Sequence, residues 1–214
     1  MAGCVACIDG FFQRCKRPTK KEVGNIISYY SGHHESYGLN CQACVKPDLQ
    51  SMYFGVINPG STNDNISYTQ ADELKVALSS LPPGLFGLGD AAYTLAEWLL
   101  IPFTGADRLD PAQDALSYYL SQLQIWVEMT FGRLVKKFGI LSGKVGGSME
   151  RVSAILTACA RLHNFIIKED CPFEVEFHVV QEAMESLEIT PNCDAALGML
   201  YLHVVTDSKF KAYP

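Results

Sequence analysis

The chain has 214 residues, 48% of them hydrophobic and 11% aromatic, which is enough for one full-sized core and too little for two. Its formal charge of -6 excludes the uniformly basic surface of a self-sufficient DNA binder, so any nucleic-acid contact has to be local or shared with a partner. No stretch approaches the roughly 18 consecutive apolar residues of a membrane helix, since even the run ending at Phe103 is short and follows Glu97.

No positively charged leader with an apolar segment opens the sequence, so the chain reads as intracellular. In that compartment its eight cysteines are expected as free thiols or metal ligands rather than disulfides. Cys4 to Ile8 reads as a buried strand almost at the start. Residues 38 to 45 alternate, with Leu39, Cys41, Ala43 and Val45 facing one way and Asn40, Gln42 and Cys44 the other. A turn at Lys46 to Asp48 leads to Met52 to Ile57, the natural hairpin partner, so three early strands form one antiparallel sheet. Pro59 to Asp64 is a turn cluster, and a helix is expected over Thr69 to Leu81 with Thr69 as N-cap. Strands follow at Leu85 to Gly89 and Trp98 to Phe103.

The longest helical signal runs from Pro111 to Phe138, where Leu120, Leu123, Val127, Phe131, Leu134 and Phe138 form one apolar stripe. A second helix covers about Met149 to Ile167, and the acidic tail beyond Lys168 holds one short helix near Val179 to Leu187. The expected architecture is α/β, a ribonuclease H-like mixed sheet flanked by helices, with a core over residues 1–167 and a tail over 168–214. Other α/β domains share that outline.

Three acids stand where acids are expensive. Asp9 lies inside a strand pattern, Asp90 ends the strand from Leu85, and Glu128 falls at the margin of the helical stripe, from where a side chain reaches the end of a sheet. Clustered carboxylates without a fixed basic partner suit Mg²⁺ or Mn²⁺, and two such ions serve phosphodiester chemistry. Singly, each acid has an ordinary reading: Asp9 as a turn residue before Gly10, Asp90 as an N-cap, Glu128 as a surface acid.

Six segments in order resemble the DDE endonucleases of Harbinger-like transposases and their domesticated relatives: Ile8-Asp9-Gly10, Tyr37 to Ala43, Pro59 to Asp64, Gly89 to Tyr93, Trp126-Val127-Glu128 with Phe131-Gly132, and Ala160 to Phe165. The resemblance implies that Asp9, Asp90 and Glu128 are the catalytic, metal-binding carboxylates, that Asp64 is structural or a helper, and that Mg²⁺, DNA ends and a nuclear location go with them. It also implies a separate Myb-like DNA-binding partner and admits a homo-oligomer. Two departures stand out. Family members carry a helix-turn-helix region before the first Asp, where this chain has almost nothing, and expected basic residues are replaced by Gln124, Trp126 and Gly139. The expectation is an N-terminally truncated nuclease core, active or silenced, with a non-catalytic domesticated protein as the alternative.

Other motifs compete. Cys4-x-x-Cys7 and Cys41-x-x-Cys44 mimic a zinc site, but positions i and i+3 of a strand face opposite sides, which favours buried thiols. Gly87 to Ala92 fits a dinucleotide pattern, but Asp90 would set a negative charge beside the pyrophosphate. His163 and Asn164 read as satisfied core residues. Lys16, Arg17, Lys20 and Lys21, with His33, are the candidate contacts to a DNA backbone.

Overall fold

A computed structural model of the chain describes residues 3–105 and 110–169. The first strand, β1 (Cys4–Arg14), runs well past the expected end at Ile8, because Phe11 and Gln13 are also buried and the ladder continues to Arg14. A two-residue strand that the sequence pattern did not reveal, β2 (Tyr30–Ser31), precedes β3 (Ser36–Val45) and pairs with its first residues. β3 lies antiparallel to β1, with Cys7 opposite Val45 and Arg14 opposite Gly38. β4 (Ser51–Pro59) lies antiparallel to β3, so the expected antiparallel trio is present.

On the other side of β1 come β5 (Phe86–Leu88) and β6 (Leu99–Leu100), both parallel, and both shorter than expected. The order β4-β3-β1-β5-β6, with β2 added at the start of β3, is the mixed sheet of a ribonuclease H-like fold. It places β1 at the centre, flanked by an antiparallel neighbour and a parallel one.

Two short helices, α1 (Asp64–Gln70) and α2 (Asp72–Ser79), carry the chain from β4 to β5. The single helix expected from Thr69 is therefore earlier and divided. Asn63, not Thr69, is the N-cap, accepting a 2.8 Å bond from the Ile66 N–H; Thr69 instead donates its hydroxyl to the Ile66 carbonyl at 2.7 Å. The non-helical backbone of Ala71 makes the break.

The expected 111-to-138 helix is likewise two, α3 (Pro111–Leu123) and α4 (Ile125–Lys137). At the joint the Val127 N–H turns to the Gln124 carbonyl at 3.1 Å. The Cys7 thiol of β1 donates to the Leu123 carbonyl at 3.2 Å. A side chain intruding into the helical ladder is a recognised cause of such a break. The apolar stripe survives it, with Leu120, Val127 and Leu134 buried on the sheet. Helix α5 (Met149–Glu169) follows. The short helix expected near Val179 lies outside the described residues.

Helices cover both faces. Ala6, Ile8 and Cys44 pack with Leu74 and Leu78 of α2, whereas Cys7, Ala43 and Val45 pack with Trp126 and Val127 of α4. Phe11, Leu39 and Cys41 extend that second face against Leu134, Val152 and Leu156. The alternation expected for residues 39 to 45 is therefore the one observed. Among the described residues no helix is long and apolar enough to cross a membrane.

The turn between β3 and β4 holds Leu49 at φ 65°, a left-handed conformation unusual for a residue with a Cβ. Its carbonyl accepts from Thr130 Oγ1 at 3.3 Å and lies 3.0 Å from His163 Nε2. Asn164 grips the backbone of Ser51 at both ends, accepting from its N–H at 2.8 Å and donating to its carbonyl at 2.7 Å. His163 and Asn164 are thus satisfied structural residues that lock the hairpin to α5.

Candidate carboxylate centre

Asp9 lies in the middle of β1, not in a turn. Strand alternation puts it on the same face as Cys7 and Phe11, the face covered by α4. Asp90 comes two residues after Leu88, which pairs with Cys7, so the parallel register carries Asp90 toward Asp9 at the end of β5. Asp90 Oδ1 accepts the Ala92 N–H at 2.8 Å, which makes the residue the cap of a turn rather than of a helix. Glu128 stands exposed in the first turn of α4, beside the buried Val127. The Cys7 bond at the α3–α4 joint ties that turn to the strand bearing Asp9.

The electrostatics join these groups. Burial pushes the Asp9 carboxyl up from 3.8 to about 7, a 2.7 Å bond from the Gly10 N–H opposes the rise, and the charges of Asp90, Asp64 and Glu128 add to it. Among the described residues none of these four acids forms an ion pair; the salt bridges present join Lys46 to Asp48 and Lys75 to Asp72. The donor set is all carboxylate, the chemistry of a hard divalent cation. Among the described residues no three His, Cys, Asp or Glu side chains converge closely enough to hold an ion as they stand.

Asp64 belongs to a different surface. Gly10 points away from Asp9, and a Cβ placed there would lie 2.0 Å from Asp64 Oδ1, so the Asp64 carboxylate rests against the back of β1. Asp64 Oδ1 accepts from Asn40 Nδ2 at 2.8 Å and from Gln42 Nε2 at 3.5 Å, and Gln42 Oε1 accepts from the Tyr93 hydroxyl at 2.9 Å. Burial and the charges of Asp9, Asp64 and Asp90 push that phenol far above its ordinary value. Asn40, Gln42 and Tyr93 had only motif membership to mark them in the sequence, because buried amide networks leave no periodic signal.

Lys16, Arg17, Lys20 and Lys21 are all exposed. They follow the end of β1, about 20 Å along the strand from Asp9. Arg17 lies over the Tyr37 ring at 5.8 Å. His33, also exposed, sits in the turn between β2 and β3. None of these five joins the carboxylates.

The cysteine argument needs one correction. A β-bulge between Cys4 and Ala6 interrupts the alternation, and the Cys4 thiol ends up hydrogen-bonded beside Cys7, which with burial raises the Cys7 thiol well above its ordinary value. Cys41 and Cys44 do face opposite sides, in separate clusters. The six described cysteines are free. The dinucleotide pattern at Gly87 is followed by a turn and β6, not by the helix that a pyrophosphate site requires.

The chain is thus a ribonuclease H-like α/β domain that carries Asp9 within its central strand and Asp90 just past the end of the parallel neighbour β5. Residues 8–164, well over half of the chain, match the family model described as DDE superfamily endonuclease, and the chain belongs to that family. Comparison with curated proteins yields no match. Comparison with solved structures yields none either.

Proposed function

We propose that this chain is the catalytic core of a Harbinger-like, transposase-derived DNA endonuclease, with Asp9, Asp90 and Glu128 as its metal-binding carboxylates. The observation that carries the reading is the state of Asp9: a half-buried carboxyl in the central strand, raised to about 7 by burial and by the charges of Asp90, Asp64 and Glu128, with no ion-pair partner among the described residues. Mutually repelling carboxylates are relieved together by a divalent cation, and Mg²⁺ or Mn²⁺, as two ions, suits oxygen donors. Bound there, the ions would supply an activated water and neutralise the leaving oxygen of a phosphodiester. The residues themselves hold the cations and orient them relative to the strand end; Asp64 supports β1 from behind.

The substrate on this reading is DNA, retained through the exposed basic run from Lys16 to Lys21. With a net charge of -6, a separate Myb-like DNA-binding protein or a second copy would complete the grip, and the compartment would be the nucleus. A nicking assay on supercoiled DNA with Mg²⁺ or Mn²⁺ tests the proposal. Wild type should nick and Asp90→Ala should not. Equal background from both would favour a non-catalytic, domesticated protein, a reading supported by the exposed position of Glu128 and by the lack of three converged donors among the described residues.

A further inference from the structure

The surface behind β1 carries a cleft of about 460 Å³, within the size range of small-ligand sites, bounded by Gly10, Phe12, the turn at His33 and His34, Asn40, and the loop from Gly60 to Asp64. We propose that this cleft is a nucleobase subsite, holding one unpaired base of the DNA strand on the face of the sheet opposite Asp9. The inference rests on the proposed DNA substrate and extends it.

Two features make the cleft suited to a flat ring. Its floor is backbone at Gly10 and Gly60, where an added Cβ would lie 2.0 Å from Asp64 Oδ1 and 2.6 Å from Phe12 Cε2. Its wall is a stacked pair: the Phe12 and His34 rings lie 4.1 Å apart and 11° from parallel. Phe12 is wedged against Gly38 and Gly60, while His34 is exposed, so the imidazole is a supported platform that a base can extend.

Polarity selects the ligand. Asp64 Oδ1 already accepts from Asn40 and Gln42, and among the described residues Oδ2 has no partner. A carboxylate at the inner wall repels a phosphate and accepts from an exocyclic ring amine, as in acidic readout of cytosine. Arg14, two positions beyond Phe12 in β1, lies on the same face of the strand by alternation. Burial, with the Arg14 charge, lowers the His34 pKa from its ordinary value against the opposing charge of Asp64, and a less readily protonated ring suits stacking.

The test titrates dCMP, dAMP, dTMP and deoxyribose 5-phosphate into the full chain in EDTA, followed by calorimetry and by NMR of the histidine ring protons. The expected result is binding of dCMP and dAMP in preference to dTMP and no binding of the sugar phosphate. His34→Ala should weaken dCMP about tenfold, the scale of one base-stacking contact. Because His34 is exposed, that variant leaves the fold intact; Asp64→Asn should level dCMP with dTMP. No binding, equal binding of the sugar phosphate, or an unchanged Kd in His34→Ala would overturn the subsite. Displacement of dCMP by arginine amide at equal concentration would assign the cleft to a protein side chain instead. Asp90→Ala should bind dCMP as wild type does, so a failed nicking assay and a failed titration report on different claims.

Discussion

Asp9 and Gly10 are consecutive residues of one strand, and they open onto two chemically opposite surfaces. On the α4 face the Asp9 carboxyl is half-buried with a single backbone hydrogen bond and like charges around it, and it is raised to about 7. On the α1–α2 face the Asp64 carboxylate, seated against Gly10, has its Oδ1 satisfied by the amides of Asn40 and Gln42. Both are acids at the same sheet. What distinguishes them is the supply of donors: a carboxylate given N–H groups becomes part of the scaffold, and one denied them is left to recruit a cation.

That contrast is open to direct attack. Asp90→Ala should reduce Mg²⁺-dependent nicking about a thousandfold, roughly 4 kcal/mol in barrier, with the folded state unchanged by circular dichroism; retained nicking would place the reaction elsewhere. Metal-free stability should depend on pH through Asp9. A folded-state pKa of about 7 against the ordinary 3.8 means that its contribution is complete below about pH 4, is lost as pH rises to about 7, and stays lost above that. The span corresponds to roughly 4 kcal/mol at most. Denaturation across pH 4 to 8 should show that decline in wild type and a flatter profile in Asp9→Asn, and Mg²⁺ should restore stability at pH 8 in wild type only.

Gly10→Ala tests the other side of the strand. Its methyl would collide with the Asp64 carboxylate, and a loss of about 1–3 kcal/mol is expected in urea denaturation. Combining it with Asp64→Ala should recover part of the loss, since the colliding group is gone. The smallest effect belongs to the basic run. Reversing Lys20 and Lys21 to Glu should weaken DNA retention on the order of tenfold near 0.15 M salt, less at higher salt. Metal affinity at the carboxylates should be unaffected, because the run lies beyond the far end of β1 from Asp9.

The backbone plan was largely legible in the residues. Alternation from Leu39 to Val45 identified the strand and which side chains share each face, and the stripe from Leu120 to Phe138 identified the helical surface that covers the sheet. Where reading failed, either a distant residue intervened or the local signal was too short or irregular to follow. The helix break after Leu123 involves a thiol from Cys7, 116 positions away, and the helix start moved from Thr69 to Asp64 because Asn63 is the better-placed cap. β2 was too short for any period to register, and the bulge after Cys4 undid an argument based on strict alternation.

By itself the sequence determined the element types, the apolar faces and the ordered motifs that mark the family, since those depend on local periodicity and on spacing along the chain. Only the tertiary structure decided which acids share a surface. Asp9, Asp64, Asp90 and Glu128 are spread over 120 positions, and whether two of them feel each other's charge is a matter of strand register and facing. Those are set by the β1–β3 and β1–β5 ladders and by the packing of α4. The same ladder turned Gly10, adjacent to Asp9 in the chain, toward the opposite face and gave Asp64 its amide partners.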